Sequence, residues 1–310
     1  MTVVKQLTED NHENPISGSD LAIWRNWAKR ESIAANISSQ EVDWLLQEVA
    51  DLDRLSLKLE SFRELSKINL KFSLSQLSQL WWHRLKDRVP LQYIIGVTHW
   101  RNFSLKVATG VLIPRPETEL IIDFAVQAVQ KSPLPDLNLG HWVDLGTGSG
   151  AISIGLSMVF PQAKIHAVDY SEIALSIARE NAKNLGLSSK IQFYEGSWWS
   201  PLEYLKGEIS GLVSNPPYIP TRLLSQLQPE VKKHEPYLAL DGGKDGLEII
   251  RYLVNSAPNY LQPGGILLIE MMAGQGNNVA RLLEDSSDYH SIKILPDLEG
   301  IQRFALAYRT

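Results

Sequence analysis

The chain contains no cysteine in 310 residues, which excludes disulfides, thiolate metal clusters and a cysteine nucleophile. That usage suits a reducing compartment. It also lacks any apolar run of about 18 residues, so no helical membrane span is expected. Its opening, MTVVKQLTEDNHENP, has neither the basic start nor the apolar centre of a secretory signal. A cytoplasmic location is expected. An excess of positive charge is missing too: 30 Lys and Arg face 35 Asp and Glu, a net charge of −5, which leaves no field to hold a duplex polyanion. The seven His are scattered without HExxH-like spacing, and no metal is expected. What is present is 44% hydrophobic residues at a mean hydropathy of −0.13, enough for a sizeable core in two domains.

Residues 1–17 are polar and read as a frayed leader. Over 18–89 apolar residues recur at helical spacing: Leu21, Trp24, Trp27 and Ala28, then Val42, Leu45, Leu46 and Val49, then Leu74, Leu77, Trp81 and Leu85. A small helical domain without strands follows from that. Ser38 with Glu41, and Ser73 with Gln76, have the spacing of capping boxes. Residues 90–112 read as a linker carrying a β-hairpin, because Trp100, Phe103, Leu105 and Val107 lie among polar residues after Pro90. Pro116 then suits the first turn of a helix running to Val129.

Within 113–310, short apolar runs alternate with helical patterns. Strands are expected at 141–145, 164–168, 191–194, 211–214 and 265–270, and helices at 151–159, 171–184, 246–257 and 275–284. Two closing strands are expected near Ile292 and Phe304. This alternation predicts an α/β fold: a Rossmann-like doubly wound parallel sheet with helices on both faces and an antiparallel edge, preceded by the helical domain.

Val143-Asp144-Leu145-Gly146-Thr147-Gly148-Ser149-Gly150 places a glycine-rich turn between a strand and a helix, where backbone can approach a ligand without Cβ obstruction. The next strand ends at Asp169, from which a carboxylate can accept hydrogen bonds from both hydroxyls of a ribose. A nucleoside is implied. The pattern is GTGSG and not the GxGxxG of a dinucleotide fold. DLGTGSG and the following VD resemble motifs I and II of class I S-adenosylmethionine-dependent methyltransferases. The resemblance implies that S-adenosylmethionine is the cofactor, leaving as S-adenosylhomocysteine. It also implies that Gly146, Thr147, Gly148, Ser149 and Gly150 cradle the amino-acid part, that Asp144 lies near its ammonium or a bound water, and that Asp169 holds the ribose. Trp198, in Glu195-Gly196-Ser197-Trp198-Trp199, aligns with a cofactor-contacting position and offers a face to adenine. Many relatives carry Asp where this chain has Ser197. Core packing is the competing role for Trp199.

The fourth strand runs into Asn215-Pro216-Pro217-Tyr218. Amide and aromatic-amine nitrogens are poor nucleophiles because their lone pairs are delocalised, and two acceptors aimed at the two hydrogens would gather density onto nitrogen. The Asn215 side-chain oxygen and the Pro216 carbonyl can be those acceptors, because consecutive prolines restrict the backbone that carries them. Tyr218 can lie against a planar amide or base, and Pro217 narrows the slot. Asn215, Pro216 and Tyr218 are therefore the candidate catalytic residues. All four are candidate substrate-binding residues, and Asn215 also borders the cofactor.

The tetrapeptide alone does not separate bases from glutamine amides. The surrounding segments do: Pro90-Leu91-Gln92-Tyr93-Ile94-Ile95-Gly96, Leu112-Ile113-Pro114-Arg115-Pro116-Glu117-Thr118-Glu119, Glu235-Pro236-Tyr237-Leu238-Ala239-Leu240 and Gly243-Lys244-Asp245-Gly246-Leu247 resemble the peptide chain release factor glutamine methyltransferases, the HemK/PrmC family. The resemblance covers roughly residues 20 to 308. It implies methyl transfer to the side-chain nitrogen (N5) of the glutamine in the Gly-Gly-Gln motif of release factors, a modification that modulates translation termination. It also implies a release factor as protein partner. A monomer is expected, and the charge balance and the missing apolar run leave no direct nucleic-acid or membrane binding expected. Arg115 and Glu117 match a segment that borders the family's active site and equally suit a salt-linked helix start, and Asp297, Gly300 and Arg303 fit the closing pattern in a structural role. Glu270-Met271-Met272 departs from the family's usual Glu-Ile-Gly. Two rivals stand beside this reading. An adenine-N6 nucleic-acid methyltransferase would need a basic groove and a base-extruding region that the chain does not display. A non-catalytic cofactor-binding scaffold would be expected to have lost the tetrapeptide.

Overall fold

The computed structural model describes residues 14–310. They divide into one unit that ends at Val97 and includes Gln228–His234, and a second formed by Thr98–Leu227 and Glu235–Thr310. In the first, apolar residues three and four apart turn one face of each helix inward. The helices are α1 (Gly18–Ala34), α2 (Gln40–Ala50), α3 (Arg54–Leu59), α4 (Leu74–Trp82) and α5 (Leu91–Ile95). Leu21, Ala28, Leu45, Leu46, Leu77 and Trp81 share their core. Trp81 can be buried there because its indole N–H donates to the Ala28 carbonyl at 3.2 Å.

Ser73 and Gln76 close a capping box on α4. Ser38 and Glu41 do not. The cap of α2 is Ser39, without a side-chain bond, because Glu41 commits both carboxylate oxygens to Arg84 at 2.6 and 2.9 Å. Arg84 also donates to Glu230 at 2.8 Å. Glu230 lies on the short helix Pro229–His234, a segment from far along the chain that belongs with this unit.

Three boundary expectations need correction. Of the leader, residues 1–13 lie outside the described residues, but β1 (Asn14–Ile16) pairs antiparallel with β2 (Ile68–Leu70), and Ser17 caps α1 through Asp20 N. Pro15 is tolerated because each strand of a two-stranded sheet is an edge. The helical unit therefore contains strands. The stretch read as a linker divides: Leu91 and Ile94 join the helical core. The hairpin of β3 (Val97–Trp100) and β4 (Phe103–Lys106) instead sends Trp100, Phe103 and Leu105 into the core of the second unit.

In the second unit, β5 (His141–Leu145), β6 (Lys164–Asp169), β7 (Ile191–Glu195), β8 (Ile209–Ser214), β9 (Leu261–Glu270), β10 (Tyr289–Pro296) and β11 (Gln302–Arg309) form one sheet. Its order is β10-β11-β9-β8-β5-β6-β7, parallel from β9 to β7, with β11 and β10 as the antiparallel edge. The two-residue period of β5 sends Trp142 to one face, with Ile121 and Ile154. It sends Val143 and Leu145 to the other, with Leu253 and Val279. Helices α6 (Leu120–Lys131), α7 (Ala151–Val159), α8 (Glu172–Asn184), α9 (Glu248–Ser256) and α10 (Gly276–Ser286) complete the unit, and burial on both faces is why its strands read as continuous apolar runs. After β5 the chain proceeds toward β6, yet β8 is added on the opposite side of β5. Strand order thus reverses between β5 and β8, and the crevice at their carboxyl ends is where a ligand fits such a sheet.

Candidate active site

The turn after β5 has Gly146, Gly148 and Gly150 at φ +78°, +56° and +83°, a region that L side chains avoid. The three do different work. A Cβ on Gly148 would meet nothing within 4 Å, and one on Gly146 only the Trp198 ring at 3.9 Å; on Gly150 it would lie 3.0 Å from the Ala178 Cβ of α8. The first two border open space, whereas Gly150 is a packing position.

Asp144 is fully buried. Its Oδ2 accepts bonds from the Thr147 hydroxyl at 2.6 Å, the Ser153 hydroxyl at 2.7 Å and the Ser153 N–H at 3.0 Å. Its Oδ1 has no partner among the described residues. Burial pushes the carboxyl up to about 6, against the pull of the Thr147 and Ser153 bonds. A buried carboxylate with one bare oxygen suits an ammonium group. The Thr147 hydroxyl is committed to Asp144, and the Ser149 carbonyl is occupied by Asn181 Nδ2 at 2.9 Å.

Asp169, at the end of β6, accepts the Gly148 N–H at 2.8 Å on Oδ2 and the Ser171 N–H at 2.9 Å on Oδ1. Burial raises its carboxyl, and the Ser171, Gly148 and Tyr170 N–H groups oppose the rise. A carboxylate has about four lone-pair sites, so each oxygen keeps capacity for a hydroxyl donor. The side chain fastens the glycine turn to β6 while facing the same crevice. Trp198 stands at φ +50°, half-buried and beside Gly146. Trp199 is a core residue: its ring stacks on Tyr260 at 4.1 Å and its N–H donates to the Ser256 hydroxyl at 2.8 Å. Ser197 is exposed.

On the acceptor side, every residue of β8 is buried, and the Ser214 hydroxyl donates to the Leu145 carbonyl at 2.6 Å, latching the ends of β8 and β5 together. Asn215 follows directly, so the tetrapeptide leaves the sheet at the point where strand order reverses. Asn215 Nδ2 donates to the Thr118 hydroxyl at 3.2 Å, which leaves Oδ1 as the outward end of the amide. Pro216 is buried and Pro217 is half-buried. The Tyr218 hydroxyl donates to Glu270 Oε1 at 3.2 Å. Burial is the main reason that hydroxyl titrates well above its usual range, with the Glu270 charge adding to it.

The tetrapeptide is also held from behind. Gln275 Nε2 donates to the Tyr218 carbonyl at 3.0 Å and the Gly246 carbonyl at 3.1 Å, while Ile219 bridges to Asp241. A Cβ on Gly246 would lie 2.4 Å from the Tyr218 carbonyl oxygen. The loop 241–247 is thus a fitted backing. Arg115 pairs with buried Glu235 at 2.5 Å, a structural contact. The Met271-Met272 departure is absorbed by the fold: Met271 is fully buried, and the Met272 N–H donates to Gln275 Oε1 at 3.0 Å.

Sequence reasoning missed Thr118, Glu270 and Gln275. Thr118 stood inside the IPRPETE segment, and Glu270 was visible as a carboxylate at the end of a buried strand; Gln275 carried no signal. Glu270 is fully buried and its Oε2 has no partner among the described residues. Burial pushes its carboxyl up to about 7. The Thr118 and Tyr218 hydroxyls and the charge of Arg303 pull it down, and Glu117 pushes it up. Among the described residues, no three His, Asp or Glu side chains gather in a metal-binding group, and no helix is long and apolar enough to cross a membrane.

A family model described as a methyltransferase domain matches residues 138–302. The catalytic domain of hMettl16, solved with an RNA hairpin of the MAT2A 3′UTR, superposes with a TM-score of 0.52 at 15% identity over 66% of this chain and 75% of that one, a likeness of fold alone. The release factor glutamine methyltransferase of Synechocystis sp. is 51% identical over 94% of this chain and 97% of its own length. That of Thermosynechococcus vestitus is 46% identical over 94% and 99%. Such identity, sustained through both the helical unit and the sheet that carries the crevice, places the chain in a family: it belongs to the release factor glutamine methyltransferases.

Proposed function

We propose that this chain transfers a methyl group from S-adenosylmethionine to the side-chain amide nitrogen of the glutamine in the Gly-Gly-Gln motif of a release factor. The observation that carries the reading is the position of Asn215 to Tyr218, at the end of β8 beside the glycine turn of β5, with Asn215 tied by Nδ2 to Thr118. The cofactor, when bound, supplies an electrophilic methyl group on a cationic sulfur. Gly146 and Gly148 leave room for it, the bare Oδ1 of Asp144 suits its ammonium, Asp169 suits its ribose hydroxyls, and Trp198 offers an aromatic face.

The acceptor amide is planar and weakly nucleophilic. Asn215 Oδ1 and the Pro216 carbonyl accept its two N–H bonds, hold it in line and stabilise the positive charge that gathers on nitrogen. Both acceptors are neutral, so neither must first be deprotonated. Pro217 and Tyr218 wall the slot in which the amide plane lies.

The test uses purified protein, cofactor labelled in its methyl group, and unmodified release factor. Label is expected on the Gly-Gly-Gln glutamine, located by mass spectrometry. Asn215→Ala is expected to lower transfer by about a hundredfold or more, the scale of losing one transition-state hydrogen-bonding group, while cofactor affinity stays within a few-fold. Label appearing in DNA and not in release factor would reverse the choice of substrate.

A further inference from the structure

The slot uses the Tyr218 ring as a wall, a task phenylalanine would also serve, yet the hydroxyl of this tyrosine has a committed partner. It donates to Glu270 Oε1 at 3.2 Å. Glu270 ends β9, and because Ser214 pairs with Ile269, it stands next to the point where the tetrapeptide leaves the sheet. The carboxyl is fully buried with Oε2 bare, and a buried carboxyl in that condition is costly to keep for packing alone. The main chain of Tyr218 is held from the same stretch: Gln275 Nε2 donates to its carbonyl at 3.0 Å, and Gln275 Oε1 accepts the Met272 N–H at 3.0 Å. Tyr218 is thus fastened at both ends from 270–275. We propose that Glu270 is a positioning residue that acts through the Tyr218 hydroxyl, fixing the ring as the wall of the amide slot and enriching it in electrons for the positive charge that gathers on the acceptor nitrogen.

Tyr218 is only half-buried, so packing grips part of its ring, and an acceptor at the far end fixes the two torsions that packing leaves soft. An ionised carboxylate does more, because it makes the hydrogen bond charge-assisted. The hydroxyl proton is drawn toward Glu270, and negative charge is left on the phenol oxygen and ring. An aromatic face is already the negative side of its quadrupole, and it attracts a cation placed over it. The acceptor amide is neutral before transfer and gains positive charge during it, so an electron-rich wall favours the transition state over the ground state. With Glu270 protonated, both effects weaken. Burial pushes that carboxyl up to about 7, so the charged acceptor is present above neutrality and lost below it. The groups that face the carboxyl are Glu117 and Thr118 before α6, Tyr218 on the tetrapeptide, and Arg303 on β11, the last held by Asp297 at 2.7 Å. Arg115 faces the Tyr218 hydroxyl.

The inference rests on the reading of Tyr218 as a wall of the amide slot, so its test has one readout with substrate and one without. Tyr218→Phe keeps the ring and removes the hydroxyl; it is expected to lower kcat for release factor methylation about tenfold, with KM for S-adenosylmethionine within about threefold. In the wild type, kcat should rise with pH through an ionisation near 7. Tyr218→Phe cuts the link between carboxylate and ring, and Glu270→Gln keeps an acceptor oxygen without the charge, so both should lose that limb. Without substrate, the Tyr218 13Cζ resonance, assigned by its loss in Tyr218→Phe, should move with pH around the same midpoint and hold still in Glu270→Gln. A wild-type resonance that does not move across neutral pH, full activity of Tyr218→Phe, or a pH limb that persists in that variant overturns the proposal. A wild type that shows the coupled shift but leaves release factor unmethylated upholds the link between Glu270 and Tyr218 and overturns the choice of substrate instead. Should Glu270→Gln fail to fold, the phenylalanine variant and the wild-type titration decide.

Discussion

At the scale of single residues, the two aspartates of the cofactor side differ in how much bonding each has in hand. Asp144 has filled one oxygen with three donors and left the other bare. Asp169 holds backbone N–H groups on both oxygens, including that of Gly148, and so couples ribose binding to the shape of the glycine turn. Asp169→Ala removes both roles. Loss of a charged hydrogen-bonding partner is worth about 1 to 3 kcal/mol, so S-adenosylmethionine should bind roughly ten- to a hundredfold more weakly by calorimetry. Unchanged affinity would remove Asp169 from the cofactor site. The same residue scale explains why Trp198 and Trp199 part company. One indole N–H has found Ser256 and its ring has found Tyr260, while the other ring stands half-buried beside open turn backbone.

At the scale of elements, the tetrapeptide owes its shape to pieces far away in sequence. Gly246, at φ +77°, lets the 241–247 loop approach the Tyr218 carbonyl. An alanine there would meet that oxygen at 2.4 Å, and backbone on both sides would have to give. Gly246→Ala is therefore expected to lower methyl transfer at least tenfold while S-adenosylmethionine affinity, set by β5 and β6, stays within about threefold, since the cost of a strained φ is about 1 to 3 kcal/mol. A loss of both in equal measure would mean that the loop supports the whole crevice. This dependence marks what the sequence could and could not convey. The buried parallel strands and the amphipathic helices were legible because period and composition are local properties, and GTGSG, Asp169 and NPPY were legible because each lies within one turn of chain. Thr118, Gln275 and Gly246 reach the tetrapeptide only through tertiary contact. The β1–β2 pair and the membership of Gln228–His234 in the helical unit are likewise long-range pairings that no local pattern encodes. Ser38 and Glu41 had the right spacing, but a buried arginine competed for the glutamate and won.

At the scale of the whole molecule, the two units carry buried charge of opposite consequence. In the helical unit, burial raises Asp43 and Glu230, but Arg25 and Lys29 on one, and Arg84 and Arg88 on the other, outweigh it and hold both carboxyls below their usual range. Their contribution is present above the unfolded value and is lost as pH falls through the folded one. In the sheet unit, burial raises Asp144 to about 6 from 3.8 and Glu270 to about 7 from 4.5. There the folded state keeps a proton that the unfolded chain has released, so folding binds protons and stability declines as pH rises from about 4 to about 7. At 1.36 kcal/mol per pH unit, each carboxyl costs on the order of 3 kcal/mol above neutrality. Glu270→Gln removes one of these costs without changing shape, so its thermal midpoint should exceed that of the wild type by about 5 °C at pH 8 and match it near pH 4. Asp144→Asn should behave alike with the change centred about one pH unit lower. Equal midpoints at pH 8 would mean that Glu270 ionises in the fold at no cost, and that its bare Oε2 is met by a donor in solution.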